Sequence, residues 1–304
     1  MRKLLSLVLC AGLLLTLCGC SGGRVPALVA AGGVPVSQGV YAWFCSDAKK
    51  HAEAYGLAPG DEDAASAWAE TQCRRLVALD RYLRQQKIAV RFDLKSEAAA
   101  RTEGEWALFR AHYRDLGMTK ADLTRIHTFE AQKKQLVQTF YGAGGKEELS
   151  EQTLRESFVK LYVGFKAFEG AVTTQNAEGE TVPLDAAAEK ELLEQFRGMA
   201  ARANSGTDLD TLYAEYCETL GLIVTAPLTV SLMKDGDPRY DDGFFAQVAA
   251  LSPGSTVVIR TAGSVYLLQR VAIDKSDEDA FEAYRDEVLY HEKLPDVEAF
   301  VAAL

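Results

Sequence analysis

Leu161-Tyr162-Val163-Gly164-Phe165-Lys166-Ala167-Phe168 is the first predicted strand of a compact unit that lies between long helices, and the rest of the chain is arranged around that unit. Aromatic and β-branched residues dominate the run, which is typical of a strand. We predict that the unit extends from Phe158 to Ile273, with turns at Ser252-Pro253-Gly254 and at Gly263. Its order of one strand, two helices and a final hairpin predicts a small antiparallel sheet backed by helices.

The other elements of this unit follow from hydrophobic periodicity and turn residues. Predicted helices cover residues 185–203, 206–218 and 244–250, and predicted strands cover 228–232, 256–260 and 265–271.

Long amphipathic helices precede the unit. Apolar residues recur at helical spacing in 37–55, 63–86, 96–116 and 119–141, and two short strands are predicted at 27–31 and 34–36. After the unit, a helix from Ser276 is interrupted at Leu294-Pro295, and a last amphipathic segment ends at Leu304. The predicted fold class is therefore α+β, with an all-helical frame and an inserted α+β domain.

The N-terminus has the pattern of an export signal. Arg2 and Lys3 precede an apolar run over residues 4–17 that is too short to span a bilayer. Leu17-Cys18-Gly19-Cys20 then resembles the lipobox of bacterial lipoproteins. The resemblance implies that residues 1–19 are removed, that Cys20 carries the lipid, and that residues 20–26 form a tether; an ordinary cleaved signal peptide is the alternative. Two acyl chains give lasting attachment to a membrane.

Charge and motifs exclude several classes of function. The 304-residue chain has a net charge of −10, and the loss of Arg2 and Lys3 makes the remainder more acidic. Such a chain repels phosphate backbones, so we expect no nucleic-acid partner. No Gly-rich phosphate loop follows a strand, and no Gly-x-Ser-x-Gly occurs. No Cys/His spacing indicates a metal, and we predict no cofactor.

Three cysteines remain once the leader and Cys20 are set aside. They are Cys45, Cys73 and Cys217, and an odd count argues against a disulfide framework. Cys45 and Cys73 lie on neighbouring predicted helices, where an exported protein could oxidise them. Buried free thiols are the interpretation that we favour.

Two sets of residues resemble a known family. Gly33-Val34-Pro35-Val36-Ser37, leading into Tyr41-Ala42-Trp43-Phe44, looks like the opening of SurA/PrsA-type extracytoplasmic foldases. The run 206–212 ahead of Tyr216 is similar to parvulin-type peptidyl-prolyl isomerases, as are Leu251-Ser252-Pro253-Gly254 and residues 263–270. The resemblance implies a SurA-like helical frame that carries a parvulin-like domain.

The chemistry of that domain is altered in this chain. Parvulins use two histidines and a Cys or Asp beneath a pocket of Met and Phe, but none of the four histidines lies between residues 158 and 273. On the resemblance, Ala167 and Tyr266 stand where the two histidines would fall, and Met233 and Phe244 are possible pocket residues. The alternative is that Met233 and Phe244 are ordinary residues of the hydrophobic core. The domain is therefore expected to be parvulin-like and without catalysis.

The resemblance implies five domains or segments. After the signal peptide and the tether come an N-terminal helical chaperone domain at 27–157, the parvulin-like domain at 158–273, and C-terminal helices at 274–304 that pack on the N-terminal domain. Aromatic stripes on the helices are typical of a core, but exposed grooves between helices could bind unfolded chains. The candidate client-binding residues are Tyr41, Phe44, Trp68, Trp106 and Phe109.

Three functions compete at this point. The leading hypothesis is a membrane-anchored extracytoplasmic folding factor that binds unfolded exported polypeptides. An active peptidyl-prolyl isomerase is the second, and a lipoprotein scaffold for one dedicated partner is the third. His127 lies beside the apolar face of its predicted helix, and we interpret it as a packing residue.

Overall fold

The computed structural model describes residues 28–29 and 35–304. The chain divides into two compact units, of which the first comprises Met1–Glu148 and Lys293–Leu304 and the second Leu149–Glu292. The second unit is thus inserted, along the sequence, between two segments of the first. Among the described residues, helices predominate and are joined by a small antiparallel sheet and two short strand pairs, so the prediction of an α+β chain is confirmed.

The first unit is helical apart from one short pair of strands, β1 (Leu28–Val29) and β2 (Pro35–Val36). Its helices within the described residues are α1 (Gln38–Lys50), α2 (Glu62–Gln86), α3 (Phe92–Asp115) and α4 (Lys120–Tyr141). The Ser37, Asp61 and Thr119 side chains accept hydrogen bonds from the free N–H groups of the first turns of α1, α2 and α4. Helix α3 begins four residues before the predicted position, and its backbone leaves helical geometry at Phe109.

The C-terminal segment is one helix, α9 (Glu278–Ala303), and the predicted interruption at Leu294-Pro295 is wrong. A proline inside a helix removes one backbone hydrogen bond and costs about 3 kcal/mol or more. Burial on both sides of Pro295 offsets this cost, because Val288 and Val297 are both fully buried. Within the first unit, Phe300 meets Tyr82 and Phe140 edge-on, with ring centroids 5.0 and 5.4 Å apart.

The second unit contains a four-stranded antiparallel sheet in the order β6-β3-β8-β7. The strands are β3 (Tyr162–Ala171), β6 (Ser231–Lys234), β7 (Thr256–Arg260) and β8 (Ser264–Val271), and the helices are α5 (Glu151–Leu161), α6 (Ala186–Asn204), α7 (Leu209–Thr219) and α8 (Phe244–Ala249). Strand β6 begins three residues after the predicted start, because its pairing with β3 fixes its position. A small hairpin of β4 (Thr173–Gln175) and β5 (Thr181–Pro183) was not predicted.

The two faces of the sheet bury separate apolar clusters. Phe168, Val265 and Leu267 point to one face, where α6 and α7 cover them. The alternate residues of the same strands point to the other face, where α8 lies. We call this second set the α8-side cluster; its buried members are Val163, Phe165, Met233, Phe244, Val248, Ile259 and Leu268.

Candidate functional site

The strand register decides which predicted site residues meet. In the β3–β8 pair, Ala167 lies opposite Leu268, and Glu169 lies opposite Tyr266. Since alternate residues of a strand share a face, Ala167 and Tyr266 lie on the same face as diagonal neighbours on adjacent strands. Both are half-buried and pack against the α8-side cluster.

The two predicted pocket residues join the same cluster from other elements. Met233 lies on β6 opposite Val163, and Phe244 is the first residue of α8. Both are 1% exposed. The Phe244 ring meets the Tyr266 ring edge-on, with centroids 5.4 Å apart. The structure therefore brings together all four positions that the resemblance indicated, although Met233 and Phe244 are buried as core residues are.

The cluster also contains aromatic side chains that the sequence reasoning missed. Tyr240 stacks on Phe244 with ring centroids 4.8 Å apart, and it meets the edge of Phe165 at 5.8 Å. Tyr240 lies in the loop before α8, and the acidic and turn-forming residues of that loop predict an exposed segment. The one signal in the sequence that could have indicated its burial is an aromatic residue in a polar loop shortly before Phe244-Phe245.

The polar groups of this face are phenols, a carboxylate and a guanidinium. Burial, together with the neighbouring Glu169 carboxylate, raises the pKa of Tyr266 to about 12. Burial also raises the pKa of Tyr240. Both phenols therefore stay protonated at neutral pH, where they can donate hydrogen bonds but cannot act as bases.

Arg270 is the cation on this face of the sheet, opposite Phe165 in the β3–β8 pair. Its Nη1 donates to the main-chain oxygens of Gly164 and Val271 at 2.7 and 2.6 Å. Burial lowers its pKa, and its Nε is buried with no hydrogen-bond partner among the described residues. The guanidinium is thus committed to the backbone of the sheet.

The described residues hold no group of three or more His, Cys, Asp or Glu side chains placed to bind a metal ion. In the same part of the chain, none of the helices has the length and apolar character needed to cross a membrane.

The five candidate client-binding residues fall into two groups. Tyr41 and Phe44 are 7% and 4% exposed, so they lie in the helical core, and Trp68 is half-buried with its ring 6.0 Å from that of Phe44. Trp106 is half-buried on α3, where it stacks on Tyr113 with centroids 6.0 Å apart.

Phe109 is the exposed member of the five. It is 52% exposed and lies where α3 departs from helical geometry, and Leu108 beside it is 77% exposed. We call Leu108 and Phe109 the α3 patch. Of the five candidates, Phe109 is the one that the structure leaves largely exposed, while Tyr41 and Phe44 lie inside the fold.

A buried polar network joins α3 to α4 in the same unit. The Thr102 hydroxyl lies 2.9 Å from His127 Nδ1, and His127 Nε2 lies 3.3 Å from the Glu105 carboxylate. Tyr113 donates to Glu105 at 2.9 Å, and Arg101 does so at 2.7 Å. Burial lowers the pKa of His127, although Glu105 opposes this effect. Burial by itself would raise the pKa of Glu105. The hydrogen bonds from Arg101 and Tyr113 have the larger combined effect, so the pKa of Glu105 lies below its usual value.

Cys20 lies outside the described residues, so the structure does not bear on its lipidation. Cys45, Cys73 and Cys217 are free thiols. Burial raises the pKa of Cys73 to about 12, and burial also raises the pKa of Cys45.

No protein-family model matches this chain, and no curated protein sequence matches it. Among solved structures, the chain is similar to the foldase protein PrsA from Streptococcus pneumoniae, with 14% identity, coverage of 90% of this chain and 89% of that one, and a TM-score of 0.38. PrsA from Lactococcus lactis has 13% identity, coverage of 91% and 89%, and a TM-score of 0.35. A structure of SurA-like chaperones from Campylobacter jejuni has 12% identity, coverage of 90% and 97%, and a TM-score of 0.25. These neighbours are PrsA foldases and SurA-like chaperones, the family that the sequence resemblance indicated.

Proposed function

We propose that this protein is a lipid-anchored extracytoplasmic folding factor that holds unfolded exported polypeptides, and that its second unit is a parvulin-like lobe without isomerase activity. The observation that carries the proposal is the α8-side cluster, where Ala167, Tyr266, Met233 and Phe244 meet on one sheet face. Residues 158–273 contain no histidine to serve that face.

The missing imidazoles matter because of the barrier. Rotation about an X–Pro bond faces about 18–20 kcal/mol and takes tens of seconds unaided. The resemblance to parvulins implies that the barrier is lowered by an apolar proline pocket over a polar floor of two histidines and a Cys or Asp, which weakens amide resonance. On the α8-side face Tyr266 stays protonated, with a pKa of about 12. Residues 158–273 provide no imidazole for such a floor.

Holding a client is assigned to the first unit. The α3 patch places two large apolar side chains in solvent, and an unfolded chain offers apolar side chains to cover them. Unfolded chains share no sequence, so contact through apolar area suits a binder of many clients.

The proposal also includes the lipid anchor and the domain bounds that the sequence predicts. Cys20 would carry the lipid, and residues 20–26 would link it to a chaperone domain at 27–157. The parvulin-like lobe would occupy 158–273. The C-terminal segment 274–304 would join the chaperone domain through its last part, since Lys293–Leu304 belong to the first unit and residues 274–292 to the second. No nucleic-acid partner and no cofactor are part of the proposal.

Light scattering tests the holding function. A chemically unfolded model protein is diluted into buffer with an equimolar amount of the purified full chain, and we expect aggregation to be suppressed. Full aggregation, equal to that with an unrelated acidic protein, would overturn the proposal. A pull-down that returns one stoichiometric protein in place of many unfolded clients would favour a dedicated scaffold.

An active prolyl isomerase is the second candidate. The aromatic lining of the α8-side cluster favours it, because Phe244, Tyr240 and Tyr266 could receive a proline ring. This function predicts that the chain accelerates cis/trans exchange in a proline tetrapeptide and that the Tyr266→Ala variant does not. If the parent chain gives no acceleration above the spontaneous rate, this function is excluded.

A further inference from the structure

Helix α3 is joined to the rest of the first unit by few buried side chains. Four of its 24 residues are buried, whereas α2 and α4 bury eight and eleven. Its main neighbour is α4. The apolar part of this contact is a small cluster in which Leu94 and Ala98 of α3 meet Ala131 of α4. Elements with so little buried apolar contact are the ones that open before a whole domain unfolds.

The residues that face α4 and the exposed Phe109 belong to one stripe of α3. Since residues three and four apart share a helix face, the stripe runs through positions 94, 98, 102, 105, 109 and 113. Leu94, Ala98, Thr102 and Tyr113 are its buried members, and Phe109 is the member that lies largely in solvent. Release of α3 from α4 would therefore extend the α3 patch along this stripe by the apolar surface of Leu94 and Ala98.

The middle of the stripe is polar and meets a buried histidine. His127 of α4 and Thr102 of α3 are 4% and 2% exposed, and His127 Nε2 faces the Glu105 carboxylate. The Thr102 hydroxyl lies within hydrogen-bond distance of two acceptors, His127 Nδ1 at 2.9 Å and the main-chain oxygen of Ala98 at 2.8 Å. A substrate cannot reach a hydroxyl that is buried to this degree, so these three side chains are not a catalytic triad.

The hydrogen-bond pattern assigns the proton of the neutral imidazole to Nε2. In this form Nε2 donates to Glu105, and Nδ1 accepts from Thr102. The other neutral form would turn a lone pair of Nε2 towards the Glu105 carboxylate. A second proton would make Nδ1 a donor, so the Thr102 hydroxyl would have to donate to Ala98 instead. It would also place a cation where solvent is excluded, and burial of a charge costs free energy.

The groups around His127 decide the direction of the effect. Burial is the largest influence and lowers the pKa of His127. Glu105 of α3 and Glu130 of α4 oppose it, Arg101 of α3 adds to it, and the pKa lies below its usual value. Tyr113 acts through Glu105, to which it donates. Polar groups at the contacts of α4 with α1 and α2 pair with one another, namely Ser37 with Asp122 and Asp80 with Gln132.

Acid therefore weakens the contact between α3 and α4. A histidine that leaves this site for water has a pKa of about 6.5. Because the pKa of His127 in the closed form is lower, the open form binds more protons than the closed form below about pH 6.5. The contact has its full strength above that pH and loses strength as the pH falls below it.

We propose that α3 is an acid-released flap: protonation of His127 loosens α3 from α4 and extends the client-binding surface beyond the α3 patch. The proposal rests on the proposed holding function and adds its regulation. Acid also unfolds proteins by protonating their paired carboxylates. The same change in pH that produces unfolded clients would thus enlarge the surface that holds them.

Hydrogen exchange of the full chain, resolved by peptide mass spectrometry, tests the release of α3. Parent and His127→Gln are compared at about pH 7 and about pH 5, on either side of the ordinary pKa of histidine. Glutamine offers a donor and an acceptor but does not titrate. At the lower pH a solvated histidine is about 30-fold more often charged than neutral, so opening of α3 should rise by up to about 30-fold in the parent relative to the variant.

Two references make this result specific. Peptides of α2 should respond much less than those of α3, because release is local. His112→Gln is the matched control, since His112 is an exposed histidine of the same helix, and this variant should respond to acid as the parent does. An equal response of α3 in the parent and in His127→Gln, with native circular dichroism, overturns the proposal. An equal response of α2 and α3, or a response that is lost in His112→Gln, overturns it as well.

Light scattering with one unfolded client then tests the consequence for holding. Relative to its own value at the higher pH, the parent should need less chain at the lower pH to halve aggregation, and His127→Gln should show a smaller gain. Release of α3 without a gain in holding overturns the proposal. A chain that suppresses no aggregation at the higher pH refutes the holding function itself, which the exchange measurement does not involve.

Discussion

Replacing the α3 patch by serine, as Leu108→Ser/Phe109→Ser, should impair holding without unfolding the protein. A phenylalanine side chain offers about 200 Å² of surface. Phe109 is 52% exposed, so a client can cover about 100 Å² of it, worth about 2.5 kcal/mol at about 25 cal/mol per Å². Leu108, at 77% exposure, adds about 1–2 kcal/mol. The total of about 4 kcal/mol is an upper bound, because binding also costs side-chain ordering.

The assay is the concentration of protein that halves aggregation of an unfolded client. We expect the double variant to need at least about tenfold more protein. A tenfold change corresponds to about 1.4 kcal/mol, which is less than half of the upper bound of about 4 kcal/mol on the lost contact energy. Its unfolding transition should stay close to that of the parent, since exposed substitutions change stability by about 0.5 kcal/mol or less.

The matched control is Leu222→Ser/Ile223→Ser in the second unit, where the two side chains are 59% and 89% exposed. This variant removes a comparable apolar area and should hold clients as the parent does. If the control loses activity while the α3 variant keeps it, the assignment of client binding to α3 is refuted.

Three further outcomes test the packing and the buried network. Phe244→Ala should lower the unfolding free energy of the second unit by about 3–5 kcal/mol, measured by denaturant titration, because the ring is buried; a loss below 1 kcal/mol would contradict its place in the core. Gly170→Ala should cost about 1–3 kcal/mol, since its Cβ would lie 2.8 Å from the Tyr216 hydroxyl, and an unchanged unfolding midpoint would contradict this close approach. His127 has a folded pKa below its unfolded value of about 6.5, so the unfolded state binds more protons below that pH and stability should fall as pH drops from about 7 towards 5. His127→Gln should reduce this dependence of stability on pH, and an equal dependence in both proteins would contradict its assignment to His127. Glu105 does not interfere in this range, because its pKa lies below its usual value and it titrates only at lower pH.

Much of the sheet could be predicted, because strand patterns are local. Alternation along 161–168 and 265–271 fixes which side chains of each strand share a face, and the turn at Gly263 predicts the β7–β8 hairpin. The pairing of β3 with β8 joins segments far apart in the sequence, so only the resemblance to parvulins indicates that Ala167 and Tyr266 meet. The short β4–β5 hairpin was missed because its strands are three residues each and largely exposed, so they carry no apolar alternation.

Exposure could not be predicted in the same way. Phe44 and Phe109 both belong to aromatic stripes at helical spacing, yet one is core and the other lies in solvent. The difference depends on which helices pack together and on the departure of α3 from helical geometry, and neither is encoded within one helix. The uninterrupted helix through Pro295 has the same origin, since tertiary burial outweighs a local preference.

A cleft of about 430 Å³ between α2 and α4 could not be predicted from the sequence either. Arg84 and Arg125 are far apart in the chain, and each looks like an ordinary charge on the solvent side of an amphipathic helix. Only the packing of α2 against α4 places them around one space.

The central claim is that this protein has the outline of a prolyl isomerase without its catalytic imidazoles. The most direct measurement is the rate of cis/trans exchange of a proline peptide, followed by NMR with stoichiometric full chain that is active in the aggregation assay. We predict that exchange stays at the spontaneous rate, with a time constant of tens of seconds. Exchange that is accelerated by the parent chain and returns to the spontaneous rate in Tyr266→Ala would contradict the claim.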